Sequence, residues 1–306
     1  MWISELIFLQ TTMYLGIILL ARVMQAIFDK RSSNEVRGLG MTAVYSAYKF
    51  SISALLGLVL LVPALGQVQV TPLAVGISLL SGLSLLAAGF CGIYAMKSGT
   101  VSLASMFSTA GLLVPVLAGA LWFNQPVQPL QIAGIGLFFV AAWLLMRSSR
   151  AAYPAFSLKT VALLVGSMLS NGVTMLAQQL YTRYVPSGSV ALFSFVSFAC
   201  VAVLGLPLAL VLRRLPEERS RPLRLNRTLL LCGAALAGAL FVINQLATTL
   251  TTALPPVVLF TVINGGATII STLVAAILYG ERLTVRSVAG VLLGILSMVI
   301  IKLFGG

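Results

Sequence analysis

The chain has 306 residues, 59% of them hydrophobic and 8% charged, with 19 basic side chains against 6 acidic ones and no histidine. Together with a mean hydropathy of +1.07 this excludes a water-soluble domain, which would lack the polar surface to cover itself. The net charge of +13 lies in short segments between apolar blocks and not in one run, a pattern of membrane topology and not of nucleic-acid binding.

In chain order, the first apolar run, 7–27, follows Glu5 with no basic start and leads directly into more apolar sequence, so it is expected to be a first helix and not a cleaved leader. Apolar length, punctuated by Gly, Pro and charge, predicts helices at 6–28, 43–65, 72–97, 100–123, 129–147, 159–183, 188–212, 228–252, 256–279 and 284–303. Each is near the roughly 20 residues that cross a hydrocarbon core. The blocks are continuously apolar, where strands of a membrane barrel would alternate. The expected fold class is therefore an all-α integral membrane protein of ten transmembrane helices. Cys91, Cys200 and Cys232 fall inside apolar blocks without metal-type spacing and are expected to be small packing residues.

An offset of 156 carries the first half of the chain onto the second: Gly16 onto Gly172, Ala21 onto Ala177, Gly82 onto Gly238, Leu103 onto Leu259, Leu117 onto Leu273, and Ala133-Gly134 onto Ala289-Gly290. The register breaks only around the second helix, where the preceding loop is longer. Two five-helix units, 1–148 and 158–304, are expected, and an odd helix count per unit inserts the second in the opposite sense, as an inverted repeat. Connections 1–2, 3–4, 5–6, 7–8 and 9–10 carry nearly all the basic residues, among them Lys30, Arg31, Arg37, Lys97, Arg147, Arg213, Arg214 and Arg224, while the opposite face has only Arg183 and Lys302. The positive-inside rule makes the basic loops cytoplasmic and both termini external in a multi-pass plasma-membrane protein.

The final stretch, Pro255-Pro256 through Asn264-Gly265-Gly266, Leu273, Tyr279-Gly280-Glu281-Arg282-Leu283 and Gly290 to Gly294, resembles the end of an EamA-type carrier of the drug/metabolite transporter superfamily. The first-half counterpart, Phe123-Asn124-Gln125-Pro126, departs from that pattern. The resemblance implies a ten-helix carrier with a central pocket between its halves. It names no solute, since members of the superfamily carry amino acids, choline, nucleotide sugars, phosphorylated sugars and drugs. Tyr14-Leu15-Gly16 through Leu20-Ala21-Arg22-Val23 is also similar to the first helix of the small multidrug resistance proteins, with Arg22 where those carry a cation-binding glutamate.

Arg22 and Lys49 are the two charges expected well inside helices. A cation there costs at least about 2.5–3.5 kcal/mol on insertion scales, so it faces the bundle interior or a cavity, unless it snorkels to the headgroups. The expected pocket favours an anionic or zwitterionic solute. Tyr94, Asn171, Gln178, Asn244, Gln245 and Asn264 complete the candidate site, with Ser84, Gln179, Ser105, Ser108, Thr248, Thr251 and Thr261 beside them. The competing reading for each hydroxyl is a bond to its own helix or a neighbour. Gly290 and Gly294 form a small-residue packing pair, and Glu281 with Arg282 is expected to hold the turn into the last helix.

The acids Glu5, Asp29, Glu35, Glu217, Glu218 and Glu281 are all expected at helix ends or in loops. Without an intramembrane carboxylate or histidine, proton antiport lacks a titrating group, and uniport or exchange is expected. The same absence argues against an intramembrane enzyme. Nucleotide-binding loops and metal-type clusters are missing, so no cofactor, no metal, no nucleic acid and no obligate protein partner is expected. The partners are a small-molecule solute and membrane lipid. A lipid flippase or a multidrug or cationic-metabolite exporter of the same fold is the alternative.

Overall fold

The computed structural model describes residues 2–64, 66, 68–98, 101–122, 128–152, 157–220, 223–251, 254, 256–280 and 284–303. Among them are eleven α-helices and two 3₁₀ turns, with no strand. The helices are α1 (Trp2–Glu35), α2 (Leu39–Leu61), α3 (Pro72–Ser98), α4 (Val101–Thr109), α5 (Leu113–Trp122), α6 (Pro129–Ala152), α7 (Leu158–Tyr184), α8 (Val190–Leu212), α9 (Arg227–Leu250), α10 (Pro256–Tyr279) and α11 (Val285–Leu303). Six helical segments, in α1, α2 with its 3₁₀ extension, α3, α7, α8 and α9, are long and apolar enough to cross a bilayer. The helical class expected from continuous apolar blocks is what the structure has. Residues 123–126 and 281–283, together with Pro255, lie outside the described residues.

Several helices begin where the sequence supplies an oxygen for an orphan amide. Ser189 accepts from Leu192 N, and Asn226 accepts from Leu229 N. Ser157 and Thr160 form a reciprocal capping box at the start of α7. Thr71 and Thr284 hydroxyls accept from Ala74 N and Ser287 N.

Two elements differ from the sequence expectation. The helix expected over 100–123 is broken into α4 and α5 by a 3₁₀ turn, Ala110–Leu112. The cause is Pro115, which has no amide to bond the Gly111 carbonyl one turn back and crowds it sterically. In addition, α1 extends beyond residue 28 to Glu35. It runs about 50 Å at 1.5 Å per residue, so its charged end continues as helix past its apolar stretch.

The helices pack in pairs: α2 on α8, α6 on α11, α4 on α10, α3 on α7 and α1 on α9. In α2 and α8, Gly57 meets Phe195 while Gly205 meets Ala43 and Ala47. In α6 and α11, Ser297 Oγ donates to the Gly134 carbonyl at 2.7 Å, and Gly290 meets Ala141 and Leu145. In α4 and α10, Ser105 and Ser271 hydroxyls lie 2.8 Å apart and Thr109 and Thr268 hydroxyls 3.1 Å apart. Numbers rise on one helix as they fall on the other, so all three pairs are antiparallel. Large apolar side chains such as Val59, Val203 and Ile277 point outward at 67%, 70% and 77% exposure, an apolar exterior that lipid accommodates and water does not.

Candidate functional site

A cavity of about 130 Å³ lies where α1, α2, α3, α4, α7, α9 and α10 converge. It is smaller than the roughly 300–1,000 Å³ of sites for drug-sized ligands and suits a compact solute. Its charged lining consists of Arg22, Asp29 and Lys49.

Arg22, Gln25 and Asp29 are three and then four residues apart, which stacks them on one face of α1. Arg22 Nη1 donates to Gln25 Oε1 at 2.8 Å. The Gln25 side chain in turn hydrogen-bonds Asp29, whose charged neighbours are Lys49 and then Arg22. Lys49 reaches the same space from α2 and is only 4% exposed. Its Nζ stands 4.8 Å from the Phe50 ring centroid and 5.8 Å from that of Tyr45, so part of its desolvation is offset by ring faces. Phe50 is fixed by stacking on Phe198 at 5.6 Å. The Arg22 Nε is buried without a hydrogen-bond partner, leaving a donor of the guanidinium unused.

The opposite wall is uncharged and polar. Asn171 Nδ2 donates to the Ser167 carbonyl and hydroxyl at 2.9 and 3.3 Å, and the Ser105–Ser271 and Thr109–Thr268 pairs lie beside it. Small residues keep the space open. A Cβ added at Gly92 would meet no atom within 4 Å. Gly92→Leu is therefore expected to leave the melting temperature unchanged or raised, since leucine is the better helix former by up to about 1 kcal/mol, while filling the cavity and abolishing solute binding. Thermal unfolding and binding measured on the same preparation check this; undiminished binding would contradict it.

Of the sequence candidates, Arg22, Lys49 and Asn171 line the cavity, and Ser105 and Ser108 do so with them. Tyr94, Gln178, Asn244, Gln245 and Asn264 are outside its lining. Tyr94 packs at the end of α3 beneath Lys97, whose Nζ is 4.9 Å from its ring. Gln178 Nε2 donates to Asn244 Oδ1 at 3.0 Å and to Thr248 Oγ1 at 3.2 Å. Asn244 Nδ2 donates to Ser194 Oγ, which donates to Gln245 Oε1. These amides tie α7, α8 and α9 to one another. Asn264, 1% exposed, faces Met175 with Nδ2 3.7 Å from the sulfur. Asn244→Leu is expected to cost about 1–2 kcal/mol of stability, the scale of interhelical polar contacts in membrane bundles, with solute binding intact. A denaturation series in detergent decides it; equal stability would contradict the clamp.

Asp29 and Gln25 were missed. The apolar run stops at Phe28 and so predicts Asp29 at a helix end or in a loop, but it is helical and lines the cavity. The spacing of Arg22, Gln25 and Asp29 was the available signal. Beside the cavity, Lys30 Nζ donates to the Met96 carbonyl at 3.0 Å and Lys97 donates to that of Val36, joining the ends of α1 and α3.

No family model and no curated protein matches this chain. Among solved structures, a crystal structure described only as that of a protein superposes on it with a TM-score of 0.62, covering 97% of each chain at 15% identity. At that identity the likeness shows a shared fold.

Proposed function

We propose that the chain is a secondary transporter that moves a small anionic or zwitterionic metabolite by alternating access, as a ten-helix member of the drug/metabolite transporter superfamily. The observation that carries this reading is the cavity in which Arg22 and Lys49, two cations against the single carboxylate of Asp29, line one space at the centre of the bundle. Buried charges of this kind are costly and mark solute or ion pathways. A surplus of positive charge disfavours the cationic-drug alternative.

Helix packing supports the inverted repeat. Matching the units 1–148 and 158–304 pairs α1 with α7, α2 with α8, α3 with α9, α4 and α5 with α10, and α6 with α11. Under this exchange the α1–α9 contact becomes α7–α3, and both occur, while α2–α8, α4–α10 and α6–α11 become themselves. A helix and its two-fold image are antiparallel when the axis crosses them at right angles. The three self-paired contacts are antiparallel, which fits an axis in the membrane plane and a site on that axis. The basic loops are then cytoplasmic, and the α1–α3 end bonds through Lys30 and Lys97 lie on that side.

Uniport or exchange remains the proposed mode. The premise that no carboxylate stands among the apolar helices is corrected by Asp29, which lines the cavity with Lys49 and Arg22 as its charged neighbours.

Alternating access is tested with a single cysteine at Ser108, in a background with Cys91, Cys200 and Cys232 replaced by serine. Impermeant thiol reagents applied from either face of sealed vesicles are expected to label it from both sides, with the rates shifting in opposite directions when solute is added. Labelling from one face alone, unchanged by any solute, would rule out a carrier working through this cavity.

A further inference from the structure

Asp29 is the cavity group that transport of an anion does not by itself require. In its ordinary charge state the trio of Arg22, Lys49 and Asp29 sums to one positive charge, and no other ionisable side chain lines the cavity among the described residues. Nearby cations are engaged elsewhere: Lys30 donates to the Met96 carbonyl and Lys97 to that of Val36. The remaining lining is hydroxyl, amide and apolar, which has no charge of its own to compensate another. Net charge left unneutralised in a poorly solvated space is strongly disfavoured, so the occupant that leaves the site neutral is selected.

We propose that the cavity is a site for a singly charged anion, and that Asp29 sets this valence by cancelling one of the two cations that face it. This rests on the reading of the cavity as an anion site and adds the charge count of the solute. A monoanion brings the site to zero. A dianion overshoots to minus one, and a zwitterion leaves the surplus charge where it was. Gln25 supports the arrangement by bonding Arg22 on one side and Asp29 on the other, which fixes cation and carboxylate on the same helical face. Asp29 here is a specificity-determining residue that works through charge and not through a contact with the solute.

The test uses three solutes with three-carbon skeletons that differ in charge: lactate, malonate and alanine, at pH 7. Stabilisation of the purified full-length protein against heat reports binding of each. Wild type is expected to prefer lactate over malonate and alanine. Asp29→Asn, which exposes both cations, is expected to move the malonate-to-lactate preference toward malonate by about tenfold or more, the size of a single interaction worth about 1.4 kcal/mol. Asp29→Glu keeps the charge and the wild-type order. Lys49→Met, which leaves the trio neutral, is expected to lose preference for either anion.

Malonate binding best to wild type would overturn the charge count while leaving the anion site standing. An unchanged order in Asp29→Asn would do the same. Alanine bound best by wild type and lost in Asp29→Asn would overturn the proposal and assign Asp29 to an ammonium. No stabilisation by lactate or malonate in wild type or in any variant would overturn both the charge count and the anion site. The comparison within wild type needs no variant to fold.

Discussion

Arg22→Gln is expected to weaken solute binding by at least about tenfold with little loss of fold. The guanidinium lines the cavity, bonds Gln25 at 2.8 Å and keeps a buried Nε without a partner. A hydrogen bond to a charged group is worth roughly 1.5–3 kcal/mol, so its loss weakens binding by about 10- to 100-fold. Removing the charge also leaves Lys49 and Asp29 summing to zero, so the site loses its bias for anions altogether. Glutamine still offers an amide to Gln25, and removing a buried cation relieves a desolvation cost. The melting temperature without solute is thus expected to stay within a few degrees or rise. Heat unfolding of wild type and variant, each with and without a small carboxylate, measures both quantities. A variant that keeps the full carboxylate shift would remove Arg22 from the site.

The largest effect on stability is expected at Gly172. This residue lies where α7 crosses the 3₁₀ turn between α4 and α5, and a Cβ there would come within 2.4 Å of Val114 Cγ2 and 2.5 Å of the Gly111 carbonyl oxygen. The reciprocal contact is nearly as tight, since a Cβ on Gly111 would stand 2.7 Å from Gly172 N. Val114 can rotate, but the Gly111 carbonyl is backbone and cannot, so the clash is not relieved by a rotamer change. Overpacking typically costs about 1–3 kcal/mol and sometimes more, and Gly172→Val is expected at or above the top of that range. Gly238→Ala is the control: no heavy atom lies within 4 Å of its Cβ, and alanine favours the helix. Melting of the two variants side by side checks the contrast, and a Gly172→Val protein as stable as wild type would mean that α7 does not cross there.

The fold was legible where apolar length alone decides. Continuous runs closed by Thr71, Ser157, Ser189 and Asn226 became helices beginning beside those residues. Charge does not mark a helix end in α1. Asp29, Lys30 and Arg31 follow Phe28 and resemble a loop, yet a helix satisfies its own backbone on both sides of that boundary and continues to Glu35. Pro115 stands inside an otherwise continuous apolar run, and its effect falls one turn upstream of it, at Ala110–Leu112.

The site was legible for the groups that polarity makes expensive. Arg22 and Lys49 are costly against lipid unless they snorkel, and both line the cavity. Polarity does not separate an amide that faces a cavity from one that faces another amide, because both point inward. Gln178, Asn244 and Gln245 bond neighbours on α8 and α9 for that reason. Telling the two apart requires the relative rotation of three helices, which no single segment encodes.

Transport through the cavity is tested most directly by counterflow. Proteoliposomes loaded with unlabelled lactate are diluted into labelled lactate, with wild-type protein, Arg22→Gln and empty liposomes in parallel. A transient accumulation of label in wild type alone, persisting without a pH gradient, is the predicted result. Equal, slow entry in all three, repeated across anionic and zwitterionic solutes, would contradict a carrier built around Arg22, Lys49 and Asp29.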